Sequence, residues 1–78
     1  MPIAFVCINT EPASIVEVLK EVRAVDGVEE AQMVYGIYDV VAKVKGNTLD
    51  ILKEIITKRI RKINKVRTTL TMTVVETT

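Results

Sequence analysis

Six consecutive residues near the start, 3–8 (IAFVCI), include no polar side chain. Half-solvated strands alternate apolar with polar residues, so an unbroken run of this length predicts a strand covered on both faces. Ile3, Phe5 and Cys7 share one face, and Ala4, Val6 and Ile8 share the other. With 78 residues the chain is one small domain. A layer of helices can cover one face of such a strand, and the other face needs cover of its own.

The segment NTEPAS comes next. Thr10 or Asn9 is expected to cap a helix, Glu11 suits its positive end, and Pro12 is tolerated in the first turn. Ser14 is expected to lie exposed in that turn. Ile15, Leu19 and Val22 recur at i, i+4 and i+7 as one apolar stripe, and Asp26-Gly27 ends the unit. Residues 28–35 read as a strand, with Ala31 and Met33 opposed to Glu30 and Gln32. Gly36-Ile37 is expected to be a tight connection into a strand over 38–45. There Tyr38, Val40, Ala42 and Val44 share one face, and Asp39, Val41, Lys43 and Lys45 share the other. Gly46-Asn47-Thr48 leads into a second helix with the stripe Leu49, Leu52, Ile56 and Ile60. Residues 66–76 are almost throughout β-branched and read as a strand. In it Val66, Thr68, Leu70, Met72 and Val74 face away from Arg67, Thr69, Thr71, Thr73 and Val75.

The order β-α-β-β-α-β predicts an α+β, ferredoxin-like sandwich. Right-handed crossovers put both helices on one face of a four-stranded antiparallel sheet of order 4-1-3-2. A faint internal repeat agrees: VDGVEEA (25–31) follows the first helix as INKVRTT (63–69) follows the second. The open sheet face would be apolar along its central strands, more so than soluble monomers usually show. Hydrophobic residues make up 49% of the chain, and with Cys7 the only cysteine no intrachain disulfide is available. Dimerisation through the open face is therefore expected.

A net charge of +1 gives no global attraction to nucleic acid or anionic membranes. The lone thiol suits a reducing compartment. No apolar run is long enough to span a bilayer or resembles a signal peptide, so a cytoplasmic protein is expected. The chain has no histidine, which excludes a histidine base and a histidine-containing metal site. There is no Gly-rich phosphate loop and no CxxC pair, so neither an enzyme nor a cofactor or metal is expected. The basic stretch KRIRKINKVR (58–67) is interrupted by Ile60 and Ile63 at core spacing, which leaves its charges on a solvent face. With Phe5, Tyr35 and Tyr38 the only aromatics, no base-stacking platform exists, and direct nucleic-acid binding is not expected.

Two stretches admit a ligand. Gly36 either shapes a turn or lets the backbone approach a bound molecule, and Asp39 beyond it can accept from turn amides or from an ammonium group. Thr69 and Thr71 share a face and either serve as good strand formers or offer hydroxyls to a ligand or a neighbouring subunit.

The ordered set of INTEP, VDGV, YGIYDVVAKV and VRTTLTMTVVE resembles the effector domain of the Lrp/AsnC (feast/famine) transcriptional regulators, often called the RAM domain. The resemblance covers essentially the whole chain. The family's usual N-terminal helix-turn-helix has no counterpart, so a single stand-alone ligand-binding domain over 1–78, with no DNA-binding domain, is expected. The resemblance implies sheet-to-sheet dimers that assemble further, often as four dimers in a ring. It also implies an amino acid bound between dimers and contacted by the glycine hairpin. Carried over, the ligand-binding residues are Tyr35, Gly36, Ile37, Tyr38 and Asp39, with Thr69 and Thr71 as hydroxyl contributors. Position 37 is often polar or acidic in the family and is Ile here, which favours an apolar or neutral amino acid over a basic one. The implied function is amino-acid sensing, passed to transcription by association with full-length relatives. The competing reading is an oligomerisation module without a ligand.

Overall fold

The computed structural model, which describes residues 1–75, runs β1 (Ile3–Thr10), α1 (Ile15–Arg23), β2 (Val28–Met33), β3 (Val40–Lys45), α2 (Leu49–Glu54) and β4 (Val66–Thr73). The four strands form one antiparallel sheet of order β2-β3-β1-β4, the predicted order read from its other edge. One of the two unalternating faces of β1 is covered by the helical layer. Ala4, Val6 and Ile8 are fully buried with Val40, Ala42 and Val44 against Val18, Val22, Leu52 and Ile60 of the helical layer. Each valine, leucine and isoleucine among them contributes about 1.5–3 kcal/mol of transfer free energy. On the other face Ile3, Phe5 and Val41 are half-buried, and Leu70 and Met72 remain 46% and 48% exposed. Cys7 sits between Val41 and Leu70 across the two ladders and is shielded by them.

The helices differ from expectation in detail. Val18 is fully buried in α1 and Ile15 only partly, while Leu49 of α2 is 45% exposed. Leu52, Ile56 and Ile60 recur every four residues, a spacing that drifts around a regular α-helix of 3.6 residues per turn. After Glu54 the helix widens to π-type turns over Ile55–Ile60, with the Arg61 N–H donating to the Ile56 carbonyl at 3.0 Å. The wider turn keeps Ile56 and Ile60 on the core side. Thr48 caps α2, its hydroxyl accepting from the Ile51 N–H at 3.2 Å.

Asn9 and Thr10 are not helix caps, because both belong to β1. A 3₁₀ turn, Pro12–Ser14, intervenes before α1, and Ser14 is buried where exposure was expected. The connection between β2 and β3 is wider than Gly36-Ile37, since residues 34–39 lie outside both strands. A β-bulge opposite Asn9 and Thr10 also changes one facing. Thr68 pairs with Asn9 and Val66 with Thr10, so Arg67 is the extra residue and Val66 turns to the core side. Glu76, expected at the end of the last strand, lies outside the described residues.

The internal repeat is structural. Gly27 (φ 98°) and Lys65 (φ 74°) occupy left-handed conformations at equivalent points after the two helices. The Gly27 carbonyl accepts from the Lys45 N–H at 2.8 Å, at the end of β3. The Lys65 carbonyl accepts from the Glu11 N–H at 3.1 Å, just past β1. Each half thus fastens the strand end of the other. At the β2 edge, Arg23 donates through Nε and Nη2 to the Ala31 carbonyl at 3.0 and 2.8 Å, which occupies an edge acceptor.

Candidate functional site

The ladder between β2 and β3 ends at the pair Met33 and Val40, beyond which the Val34 N–H donates to the Asp39 carbonyl at 2.9 Å. Residues 35–38 project from this closure. Gly36 has φ 135°, a conformation L side chains rarely adopt, and a Cβ added there would meet nothing within 4 Å. Glycine is needed at this position for its backbone, and the space beside it is open. Tyr35 is fully exposed and Ile37 is 85% exposed, so the tip presents two large side chains to solvent. Tyr38 and Asp39, nearer the sheet, are half-buried.

Asp39 joins the hairpin to the end of β1. Its N–H donates to the Ile8 carbonyl at 3.0 Å and continues the β1–β3 ladder by one bond. Thr10, two residues on, turns its N–H to the same side of β1, where β3 offers no further carbonyl. The Asp39 carboxylate takes that place, with Oδ2 accepting from the Thr10 N–H at 3.0 Å. The Thr10 hydroxyl lies 3.5 Å from the same oxygen and 3.1 Å from the Glu11 carbonyl, and shares one proton between them.

Beside this junction Asn9, Thr10, Asp39, Arg67 and Thr68 line a hollow of about 360 Å³. The Asn9 side-chain amide donates to the Thr68 hydroxyl at 3.2 Å. Arg67 also walls a second hollow of about 350 Å³, lined with Arg61, Val66, Thr68 and Thr69. A larger hollow of about 430 Å³ lies at the opposite end of the sheet, among Met1, Pro2, Ile3, Leu49 and Thr73–Val75. Among the described residues no charged side chain lines it to orient a polar ligand, whereas Asp39 and Arg67 both line the hollow at the other end.

Of the residues expected to bind a ligand, Tyr35, Gly36, Ile37, Tyr38 and Asp39 are contiguous on the hairpin, and only Asp39 lines the hollow. Thr69 and Thr71 pair with Ile8 and Val6, so they lie on the helix side of β4, with Thr69 half-buried and Thr71 exposed. One subunit does not gather all seven into one pocket. Asn9, Thr10, Arg67 and Thr68 were not singled out from the sequence. Asn9 and Thr10 looked like helix caps, and Arg67 looked like the end of a solvated basic run. The topology was the available signal, because the end of β1 must meet the start of β4. Among the described residues no helix is long and apolar enough to cross a membrane.

The profile of the Lrp/AsnC ligand binding domain matches residues 3–78. No curated protein matches the sequence. Among solved structures, FFRP-DM1 is 37% identical, with 96% of this chain aligned to 100% of that one at a TM-score of 0.91. The hypothetical protein PHS023 from Pyrococcus horikoshii is 36% identical, with 99% of this chain aligned to 93% of that one at 0.90. The feast or famine regulatory protein Rv3291c from M. tuberculosis, complexed with L-methionine, has the same fold at 24% identity and a TM-score of 0.80. There 99% of this chain spans 52% of the longer protein. Profile and fold agree over nearly the full length, and the chain belongs to the Lrp/AsnC ligand-binding domain family.

Proposed function

We propose that this chain is an amino-acid sensor that assembles through its open sheet face and takes its effector where dimers meet, at the hairpin of residues 34–39. The observation that carries the reading is the hairpin tip. Tyr35 and Ile37 are held out in solvent beside a glycine whose backbone is open to approach. A lone subunit gains nothing from exposing them, whereas a neighbouring subunit and a small ligand together can cover them. The apolar face made by Ile3, Phe5, Val41, Leu70 and Met72 supplies the surface for the first pairing.

The L-methionine complex of Rv3291c supports an amino acid as the effector class, and Ile37 favours one with an apolar or neutral side chain. Tyr35, Gly36, Tyr38 and Asp39 serve the same site, with Thr69 and Thr71 contributing hydroxyls from the edge strand. A ligand bound at an interface stabilises the assembled state over the dissociated one and so shifts the oligomer distribution. The domain acts as an effector module, reaching transcription by joining full-length relatives. Thermal unfolding with the twenty amino acids tests the binding step. A ligand at 100-fold excess over Kd adds about 2.7 kcal/mol. A flat panel would favour an oligomerisation module without a ligand.

A further inference from the structure

We infer that the hollow at the β1–β4 bulge receives the charged end of an α-amino acid, with Arg67 taking the carboxylate and Asp39 the ammonium group. This rests on the effector reading above and adds residues to its site. Asp39 and Arg67 line the same 360 Å³ space, a volume within the range of small-molecule sites, roughly 300–1,000 Å³. Yet they do not close on each other, since Arg67 has no carboxylate oxygen within 4.0 Å among the described residues. Two opposite charges sharing one hollow without pairing leave room for a third group between them.

The local backbone accounts for that separation. Asp39 Oδ2 is held by the Thr10 N–H, and Oδ1 accepts no hydrogen bond among the described residues. Arg67 is the extra residue of the bulge, and a bulge re-aims the side chain it displaces. Neutral groups complete the wall: Asn9 donates to Thr68, which leaves the Asn9 carbonyl oxygen and the Thr68 hydroxyl proton for a ligand.

The charge pattern selects the ligand class. A simple anion meets Arg67 but is repelled by Asp39, and a simple cation meets the reverse. An α-amino acid carries both complementary charges on one carbon and satisfies both walls. The guanidinium pairs with a carboxylate in bidentate fashion, a geometry that an ammonium side chain does not reproduce. Arg61, in the adjoining hollow, adds positive potential on the carboxylate side.

Isothermal titration of L-methionine and of L-methioninol, whose hydroxymethyl group replaces the carboxylate, into wild type and Arg67→Gln tests this. Arg67 is exposed, so the variant keeps its fold, which a thermal melt verifies. The expected result is a loss of about 10- to 100-fold in L-methionine affinity in the variant, with L-methioninol binding both proteins alike. Asp39→Asn should mirror this with 4-(methylthio)butanoate, which lacks the ammonium group. If Arg67→Gln binds L-methionine like wild type while Ile37→Asp weakens it, the hairpin reading stands and the hollow is not the receptor. If none of the twenty amino acids binds wild type, both readings fall.

Discussion

Asp39 accepts the Thr10 N–H through its carboxylate at 3.0 Å, at the point where β3 has ended and β1 has not. Thr10 is buried, so its amide has little water to turn to. Asp39→Ala is expected to cost about 1–3 kcal/mol, the usual penalty for stranding a buried donor. Asp39→Asn keeps an acceptor and should recover most of it. Urea unfolding at one fixed protein concentration checks both, and equal stability of all three proteins would contradict the assignment.

The two left-handed glycines should respond differently to a methyl group. At Gly27 an added Cβ would lie 2.7 Å from Ile55 Cδ1 and 3.0 Å from the Lys45 carbonyl oxygen, whereas at Gly36 it meets nothing. Gly27→Ala therefore combines backbone strain with a collision and should destabilise by more than about 2 kcal/mol. Gly36→Ala carries strain alone, about 1–3 kcal/mol before an open tip relaxes, and should cost less. The ranking of their urea midpoints is the test.

Lys65 has the conformation that Gly27 has in the other half, but with a side chain. Lys65→Gly should raise stability by about 0.5–1 kcal/mol, because glycine holds φ 74° without steric cost. The ion pair lost to Glu17, at 3.6 Å with both side chains substantially exposed, is screened and adds little. A lower midpoint in the variant would show that the pair outweighs the strain.

Leu70 and Met72 stand on the open face opposite Cys7 and Phe5, and neither belongs to the buried core. Leu70→Lys and Met72→Lys should therefore dissociate the assembly with little change to the secondary structure of the subunit. Thr71→Lys, on the helix side of the same strand, should not disturb the sheet-to-sheet pairing. Sedimentation velocity separates these outcomes.

Much of the fold was legible because the periodicities carry it. The unbroken run 3–8, the two stripes and the repeated VDGV and INKV links suffice for order, topology and the identity of both β1 faces. What escaped depends on contacts between distant segments. No local signal tells that the Thr10 amide belongs to Asp39, 29 residues away, so Thr10 read as a cap. The bulge at Arg67 shows only in the pairing of β4 with β1, and the π-type turns after Glu54 only in how Ile56 and Ile60 meet the core. The hairpin was legible as a motif, but its width was not, because Val34, Tyr35 and Tyr38 beside Gly36-Ile37 are ordinary strand formers. Arg67 was hidden in a basic run whose other members are solvated.

Native mass spectrometry of the purified protein, with and without a pool of the twenty amino acids, tests the central claim most directly. The account predicts an assembly larger than a dimer that retains an amino acid or shifts its distribution when one is present. A dimer indifferent to every amino acid would contradict it, and would leave the hairpin as a connection that only turns the chain.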